Sequence, residues 1–304
     1  MDGIINIRKE KDYTSHDVVA KLRGILHTKK IGHTGTLDPM AEGVLPVCIG
    51  AATKLCESFT DHDKEYLATL RLGQIYDTLD VTGVMLEQRE VMSTKEEFVT
   101  AVKSFVGGYN QVPPMYSAKK VDGKKLYELA RSGKEIEREP VFVNIYDIKI
   151  EEVSLPTAVI RVSCGKGTYI RSLISDIGEK LGCGAVMESL TRTRVGNFEL
   201  KDSYSLSEVE KAVKEDKITN VILDIETIFS DLKEIRADVE MSKYFRNGNI
   251  FNAGDFARRG MELKKMYDDG EKVRVYDHEG RFIAVYEYKK ASVILKPYKM
   301  FICS

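Results

Sequence analysis

Between Ser15 and Ile25 the apolar residues Val18, Val19, Leu22 and Ile25 fall on one face at helical spacing, and Ser15 stands where an N-cap is needed. Tyr66-Leu-Ala-Thr-Leu-Arg-Leu instead alternates apolar and polar positions, the period of a half-buried strand. Thr94 with Glu97 three residues on forms a capping box that opens a second helix. Two β-rich runs, Val141 to Ile150 and Thr157 to Ser163, are joined by a short connection and predict a hairpin. Gly165-Lys-Gly-Thr then leads into a helix that keeps Ile170, Leu173, Ile174, Ile177 and Leu181 at helical spacing, with Gly182 at its C-terminal cap. Short helical pieces follow over Leu206 to Val213 and Ile225 to Phe229, and Val273 to Tyr276 and Phe282 to Tyr288 form a second hairpin across Asp-His-Glu-Gly. Strands and helices are interspersed without regular βαβ spacing, so the expected class is α+β, not a doubly wound sheet.

The chain has 304 residues, more than one domain usually holds, and the pattern divides it into a large domain, 1–236, and a small β-rich module, 237–304. With 43% hydrophobic and 31% charged residues and no apolar run long enough to cross a bilayer, it reads as soluble and globular. The start, MDGIINIRKEKD, becomes charged too early for a signal peptide. Cysteines 48, 56, 164, 183 and 303 form no CxxC pair and no even set of staples, which fits thiols in a reducing cytoplasm. A net charge of −1 argues against a nucleic-acid partner, but the average hides strong polarity. Lys119 to Lys134 holds six basic residues (119, 120, 124, 125, 131, 134) against two acids, and four lysines with no acid follow from Lys289. Between Ser207 and Glu240 ten acids face five bases. Separate basic faces on a neutral body are the expectation.

Most chemical signatures are missing. There is no Walker pattern, Gly165-Lys-Gly-Thr-Tyr-Ile lacks the third glycine of a dinucleotide fingerprint, and no GxSxG elbow occurs. The five histidines (16, 27, 33, 62, 278) never pair as HxH or HxxxH, so no metal site is expected. What remains is KIGHTGTLDPMAEGVLPVCIG, Lys30 to Gly50. Here Asp38 sits among Gly32, Gly35 and Gly43, with His33 upstream and Pro39 immediately after. A residue before proline is driven to extended geometry, and the glycines permit tight turning and close approach, so the loop presents one carboxylate rigidly. An isolated TLDP more often closes a turn than does chemistry. The loop alone leaves both readings open.

Five stretches in order change the balance: IGHTGTLDPMAEGVLPVCIGAATKL, KEYLATLRLGQIYDTLDVTG, QVPPMYSAKKVDGKKLYELARSG, CGKGTYIRSLISDIGEKLG and LTRTRVGNF. In content and order they resemble the TruB family of tRNA pseudouridine synthases, whose archaeal and eukaryotic relatives include dyskerin, over nearly the whole chain. The C-terminal piece resembles, by pattern, the PUA RNA-binding module that ends these proteins. The resemblance implies a pseudouridine synthase catalytic domain with a mixed, largely antiparallel sheet, followed by the PUA-like module. It also implies conversion of uridine 55 in the T-loop of tRNA to pseudouridine. This is an isomerisation that needs no cofactor, metal, membrane or protein partner and is carried out by a monomer in the cytoplasm.

By the same resemblance Asp38 is the essential carboxylate, which either attacks C1′ of the ribose or removes the C2′ proton. Arg171 of the GTYIR stretch is the cation that holds it ionised. Tyr66 stacks on the target base and is placed to help remove the C5 proton, Tyr169 packs against the nucleotide, and Leu190 forms the apolar wall beneath it. His33 occupies the space left as the nucleotide is extruded. Phosphate contacts are expected along Lys119 to Lys134 and the lysine-rich C-terminus, with Lys64 and Arg192 as weaker candidates. Glu42 stands where many relatives carry threonine, and an acid so near Asp38 has to point away from the phosphates.

Overall fold

The computed structural model describes residues 1–121, 123–134, 136–258 and 266–301. Of the residues named above, Asp122, Cys303 and the side chains of Lys120, Lys125 and Arg131 lie outside that description. In chain order the first half contains β1 (Gly3–Lys9), α1 (Ser15–Ile25), β2 (Ile31–His33), β3 (Glu42–Ile49), α2 (Cys56–Thr60), β4 (Lys64–Leu72), β5 (Gln74–Tyr76), β6 (Met85–Gln88), α3 (Lys95–Lys103), β7 (Tyr109–Gln111), β8 (Lys120–Val121), β9 (Lys124–Lys125), α4 (Leu126–Arg131) and β10 (Val141–Val143). The second half continues with β11 (Ile145–Ser154), β12 (Thr157–Cys164), α5 (Ile170–Lys180), β13 (Ala185–Val195), β14 (Phe198–Glu199), α6 (Leu206–Lys214), α7 (Ile225–Ile228), β15 (Lys233–Arg236), α8 (Val239–Arg246), β16 (Phe251–Asn252), α9 (Ala253–Ala257), β17 (Lys272–Tyr276), β18 (Phe282–Lys289) and β19 (Ile294–Met300).

The central sheet has the order β1-β3-β13-β4-β12-β11, with β2 added to β3 and β14 to β13. β13 runs parallel to β3 and antiparallel to β4, so the sheet is mixed and the α+β expectation is met. The alternation read from the sequence is the observed burial. Along β4, Tyr66, Ala68, Leu70 and Leu72 point into the core, as do Ala158, Ile160, Val162 and Cys164 along β12. α5 packs across β13 and β4 and α3 across β11, and Leu173, Ile174 and Ile177 join Phe98 and Val102 in one apolar cluster with those strands. The hairpin predicted from Val141 is β11 and β12, but its first three residues leave it as β10 to pair with β7.

Compactness divides the chain into two units, residues 5–47 with 56–218, and residues 1–4 and 48–55 with 219–304. The second unit carries a five-stranded sheet of order β15-β17-β18-β19-β16 around Phe245, Phe251, Val273, Val275, Tyr286 and Leu295. Its β17–β18 turn is fixed by Asp277, whose Oδ1 accepts from the backbone N–H of Glu279 and of Arg281, each at 2.9 Å. Among the described residues no helix is long and apolar enough to cross a membrane.

α5 approaches β13 unusually closely at Gly178. A Cβ there would stand 2.2 Å from the backbone nitrogen of Ala185. In an exposed helix Gly→Ala stabilises by up to about 1 kcal/mol. Here Gly178→Ala forces the helix off the sheet, and a loss of about 1–3 kcal/mol is expected, read as a lower urea midpoint with unchanged slope.

Candidate active site

The loop between β2 and β3 carries Asp38, and nearly every backbone group around it is tied to a distant element. Thr34 donates its N–H to the carbonyl of Pro46 (3.1 Å) and accepts at its own carbonyl from Thr60 Oγ1 (3.1 Å). Arg192 on β13 spreads its guanidinium over the carbonyls of Gly35 (3.2 Å), Thr36 (3.4 Å) and Val44 (2.7 Å). Ser15 Oγ accepts from the N–H of Leu37 at 2.9 Å. Lys9 Nζ, fully buried, donates to the carbonyls of Pro39, Tyr13 and Glu10, and burial pushes its ammonium down to about 8.

Two sequence expectations are corrected by this framework. Ser15 is the first helical residue and not the cap: Thr14 caps α1 in a capping box with Asp17, because the Ser15 hydroxyl is turned inward to the Asp38 loop. Burial argues against Arg192 as the weaker phosphate contact expected above, since it is 1% exposed and gives donors to three backbone carbonyls and to Tyr66. Gly43 makes that arrangement possible. It has φ +105°, and a Cβ would stand 2.3 Å from the carbonyl oxygen of Arg192 across the parallel β3–β13 pair. Lys64 is also buried and donates to the carbonyl of Thr60 at 2.6 Å. Glu42 is exposed and accepts from Thr191 Oγ1 on the neighbouring strand at 3.2 Å.

Asp38 faces Arg171, the second residue of α5. Arg171 grips both carboxylate oxygens, Nε to Oδ2 at 2.9 Å and Nη2 to Oδ1 at 3.1 Å, a two-pronged contact that lysine cannot make. Its remaining donors reach the carbonyls of Tyr116 (2.7 Å) and Thr78 (2.9 Å), and Nη1 lies 3.6 Å from Asp80 Oδ2. Burial raises the pKa of Asp38, Arg171 opposes that rise, and the Asp80 carboxylate adds to it. The ionised carboxylate is favoured chiefly by one shared guanidinium, with Lys9 adding to it.

Asp38, Tyr66, Tyr169, Arg171 and Leu190 line one cavity of about 490 Å³, together with Ser117, Lys119 and Lys64. Tyr66 and Leu190 stand on the same face of adjacent strands, in register with Arg192 and Ala68 respectively. Burial raises the Tyr66 phenol's pKa, so it is protonated in the free protein. His33 lies outside this lining, on β2 just before the loop, edge-on to His16 with ring centroids 5.3 Å apart. Burial, reinforced by His16 and Arg192, pushes its imidazole down to about 4, so it is neutral, and its Nδ1 accepts from the Gly35 N–H at 3.4 Å.

Asp80, Lys9 and Gln111 are functional neighbours that the sequence reading did not single out. Asp80 belongs to a quoted stretch, DTLDVTG, and is held by Thr78 Oγ1 and the Thr82 N–H, both at 3.0 Å. A buried arginine facing two carboxylate-bearing motifs was the available signal; Gln111, a neutral amide, offered none. Of the basic patch, Lys119 reaches the cavity and Lys124 and Lys134 are exposed. In the C-terminal unit Lys289 pairs with Glu287 at 2.6 Å, and Lys272 lies over the Tyr298 ring at 3.9 Å.

Arg171→Gln removes the cation that opposes protonation, so the Asp38 carboxyl is expected to titrate at higher pH than in the wild type, followed by ¹³C NMR. The same change leaves Asp80 buried without its counter-charge and should cost about 3–5 kcal/mol of stability.

Known proteins share this architecture. Residues 23–170 match the N-terminal domain of the TruB family pseudouridylate synthases, and residues 171–230 the C-terminal domain of tRNA pseudouridylate synthase B. The chain is 49% identical to tRNA pseudouridine synthase B of Lachnoclostridium phytofermentans, covering 99% of this chain and 100% of that one. It is 45% identical to the Clostridium acetobutylicum protein of the same name, over 94% and 95% of the two chains. A chain in the crystal structure of a Cbf5-Nop10-Gar1 complex superposes with a TM-score of 0.71 at 25% identity, over 99% of this chain and 85% of that one. The chain belongs to the TruB family of pseudouridylate synthases and is an isomerase of that family.

Proposed function

We propose that this enzyme converts uridine 55 in the T-loop of tRNA to pseudouridine. The observation that carries the reading is the Asp38 carboxylate, gripped by Arg171 at 2.9 and 3.1 Å, in a cavity walled by Tyr66, Tyr169 and Leu190. The tRNA substrate is supported by the names of the relatives, and the T-loop position by the family resemblance.

The reaction breaks the N1–C1′ bond, turns the uracil, and joins C5 to C1′; the C5 proton leaves and N1 gains one, so no atom or electron is exchanged with a cofactor. Asp38 acts as the carboxylate, either as nucleophile at C1′ or as base at C2′, and both routes start from the ionised form that Arg171 favours. Tyr66 and Tyr169 offer π-faces to an extruded base, and Leu190 an apolar floor. The protonated Tyr66 phenol suits stacking better than proton abstraction in the free protein. His33, neutral and half-buried beside the loop, is placed to stack where the nucleotide leaves the RNA. Extrusion costs a few kcal/mol of stacking, which contacts from Lys119, Lys124 and Lys134 offset. We assign residues 1–232 to the catalytic domain and 233–304 to a PUA-like module, moving the boundary ahead of the expected residue 237 because β15 pairs with β17, and this module adds grip through Lys272, Lys296 and Lys299.

Asp38→Asn keeps the volume and removes the charge. Pseudouridine formation in an unmodified tRNA transcript, mapped by carbodiimide-dependent reverse-transcription stops without added cofactor, should fall to background. Binding should stay within about tenfold, or ~1.4 kcal/mol. Wild-type-like turnover in this variant would end the assignment.

A second expectation concerns salt. Replacing Lys119 and Lys124 together by Gln removes two phosphate contacts, so the slope of log affinity against log salt should become shallower by about 1.4 to 1.8. Filter binding of full-length tRNA across a salt series measures it, and an unchanged slope would place the RNA elsewhere.

A further inference from the structure

α5 begins without the usual device for fixing a helix start. Its N-cap is Tyr169, whose side chain makes no capping hydrogen bond and lines the cavity instead. The substitute comes from outside the helix. Gln111, at the end of β7 and 1% exposed, accepts at Oε1 from the Tyr169 N–H (2.8 Å) and donates from Nε2 to the Tyr169 carbonyl (3.0 Å). One side-chain amide thus holds both backbone groups of the residue whose ring faces the substrate space, sharing the carbonyl with the Leu173 N–H of the helix.

That amide is itself oriented. As a carboxylate Asp176, on α5, can only accept, so the Tyr109 hydroxyl donates to its Oδ2 at 2.7 Å. The phenol oxygen is then left to accept from Gln111 Nε2 at 2.6 Å, which turns Oε1 toward the Tyr169 N–H. The segment after Gln111 continues the docking. Ser172 Oγ donates to the carbonyl of Val112 (3.0 Å), and Arg171 Nη2 to that of Tyr116 (2.7 Å). The contacts from Gln111, Val112 and Tyr116 are directed at the start and first turn of α5, where Tyr169 and Arg171 originate, and the Tyr109 contact reaches the next turn at Asp176.

We propose that Gln111 is a positioning residue for the reaction, held in the correct orientation by Tyr109 and Asp176, and that it acts by placing the Tyr169 ring against the substrate nucleotide. The inference rests on the functional reading above. Displacements of about 1 Å at such a distance from the chemistry cost on the order of a hundredfold in rate.

The test is single-turnover pseudouridine formation on tRNA by the full chain, with binding and thermal melting measured in parallel. Gln111→Leu should lower the rate constant by about a hundredfold while tRNA affinity stays within about tenfold. In a Tyr169→Ala background the same substitution should change the rate by no more than about twofold, because the ring it places is gone. Tyr109→Phe keeps the clamp but loses its orientation, and a smaller loss of rate with a melting temperature close to wild type is expected; it decides the matter if Gln111→Leu does not fold. Equal losses from Gln111→Leu in both backgrounds, or full activity in a folded Gln111→Leu or Tyr109→Phe variant, would overturn the proposal. A wild-type chain that forms no pseudouridine would overturn the functional reading and this inference with it.

Discussion

One buried guanidinium organises the cleft. Arg171 is held between Asp38 and Asp80, with the carbonyls of Thr78 and Tyr116 taking its other donors. A buried ion cluster of this kind is weak evidence for stability, because desolvation of three charges offsets most of their attraction. Its use is geometric. The planar fork matches a carboxylate in one orientation only, so the plane of the Asp38 carboxylate is set by the helix that carries Arg171. The turn bearing Asp80 is set in the same way, anchored to β13 through Met187, whose N–H donates to the Leu79 carbonyl at 3.2 Å.

Around that centre the protein spends its buried cations on its own backbone. Lys9 and Arg192 hold the carbonyls of the Asp38 loop, where turn geometry leaves them without ladder partners. These charges are withdrawn from the surface of a chain whose net charge is −1. The positive charge is divided between buried residues that shape the site from within, Lys119 at the cavity, and an exposed set that includes Lys124 and Lys134.

Periodicity made β4, α5 and both hairpins legible and a capping box made α3 so, because burial on one face is a local property of β4, β12 and α5, whereas β1, β3 and β13 of the central sheet went unread. The cap of α1 moved by one residue because Ser15 answers to Leu37, not to its own helix. Arg192 was read as a surface cation because its partners are backbone carbonyls, which carry no sequence signature, and they lie about 150 residues away. Asp80 stood unremarked inside a quoted stretch, and its hydrogen bonds to Thr78 and Thr82 place it in a turn. Asp38, Tyr66, Tyr169, Arg171 and Leu190 were identified through ordered motifs and not through composition, since each alone has a more ordinary structural use. The structure brings these five to one cavity and leaves His33 beside it.

The contacts that hold Asp38 in place join parts of the chain that are synthesised far apart. Arg171 is 133 positions from Asp38, and Arg192 is 157 from Gly35. Closing loops of that length costs entropy before any contact repays it, so these pairings belong among the slow, non-local steps of folding. A growing chain displays the HTGTLDP loop early but lacks its guanidinium clamps until β13 has emerged. The surroundings of Asp38 are therefore complete only once the chain has been made through Arg192.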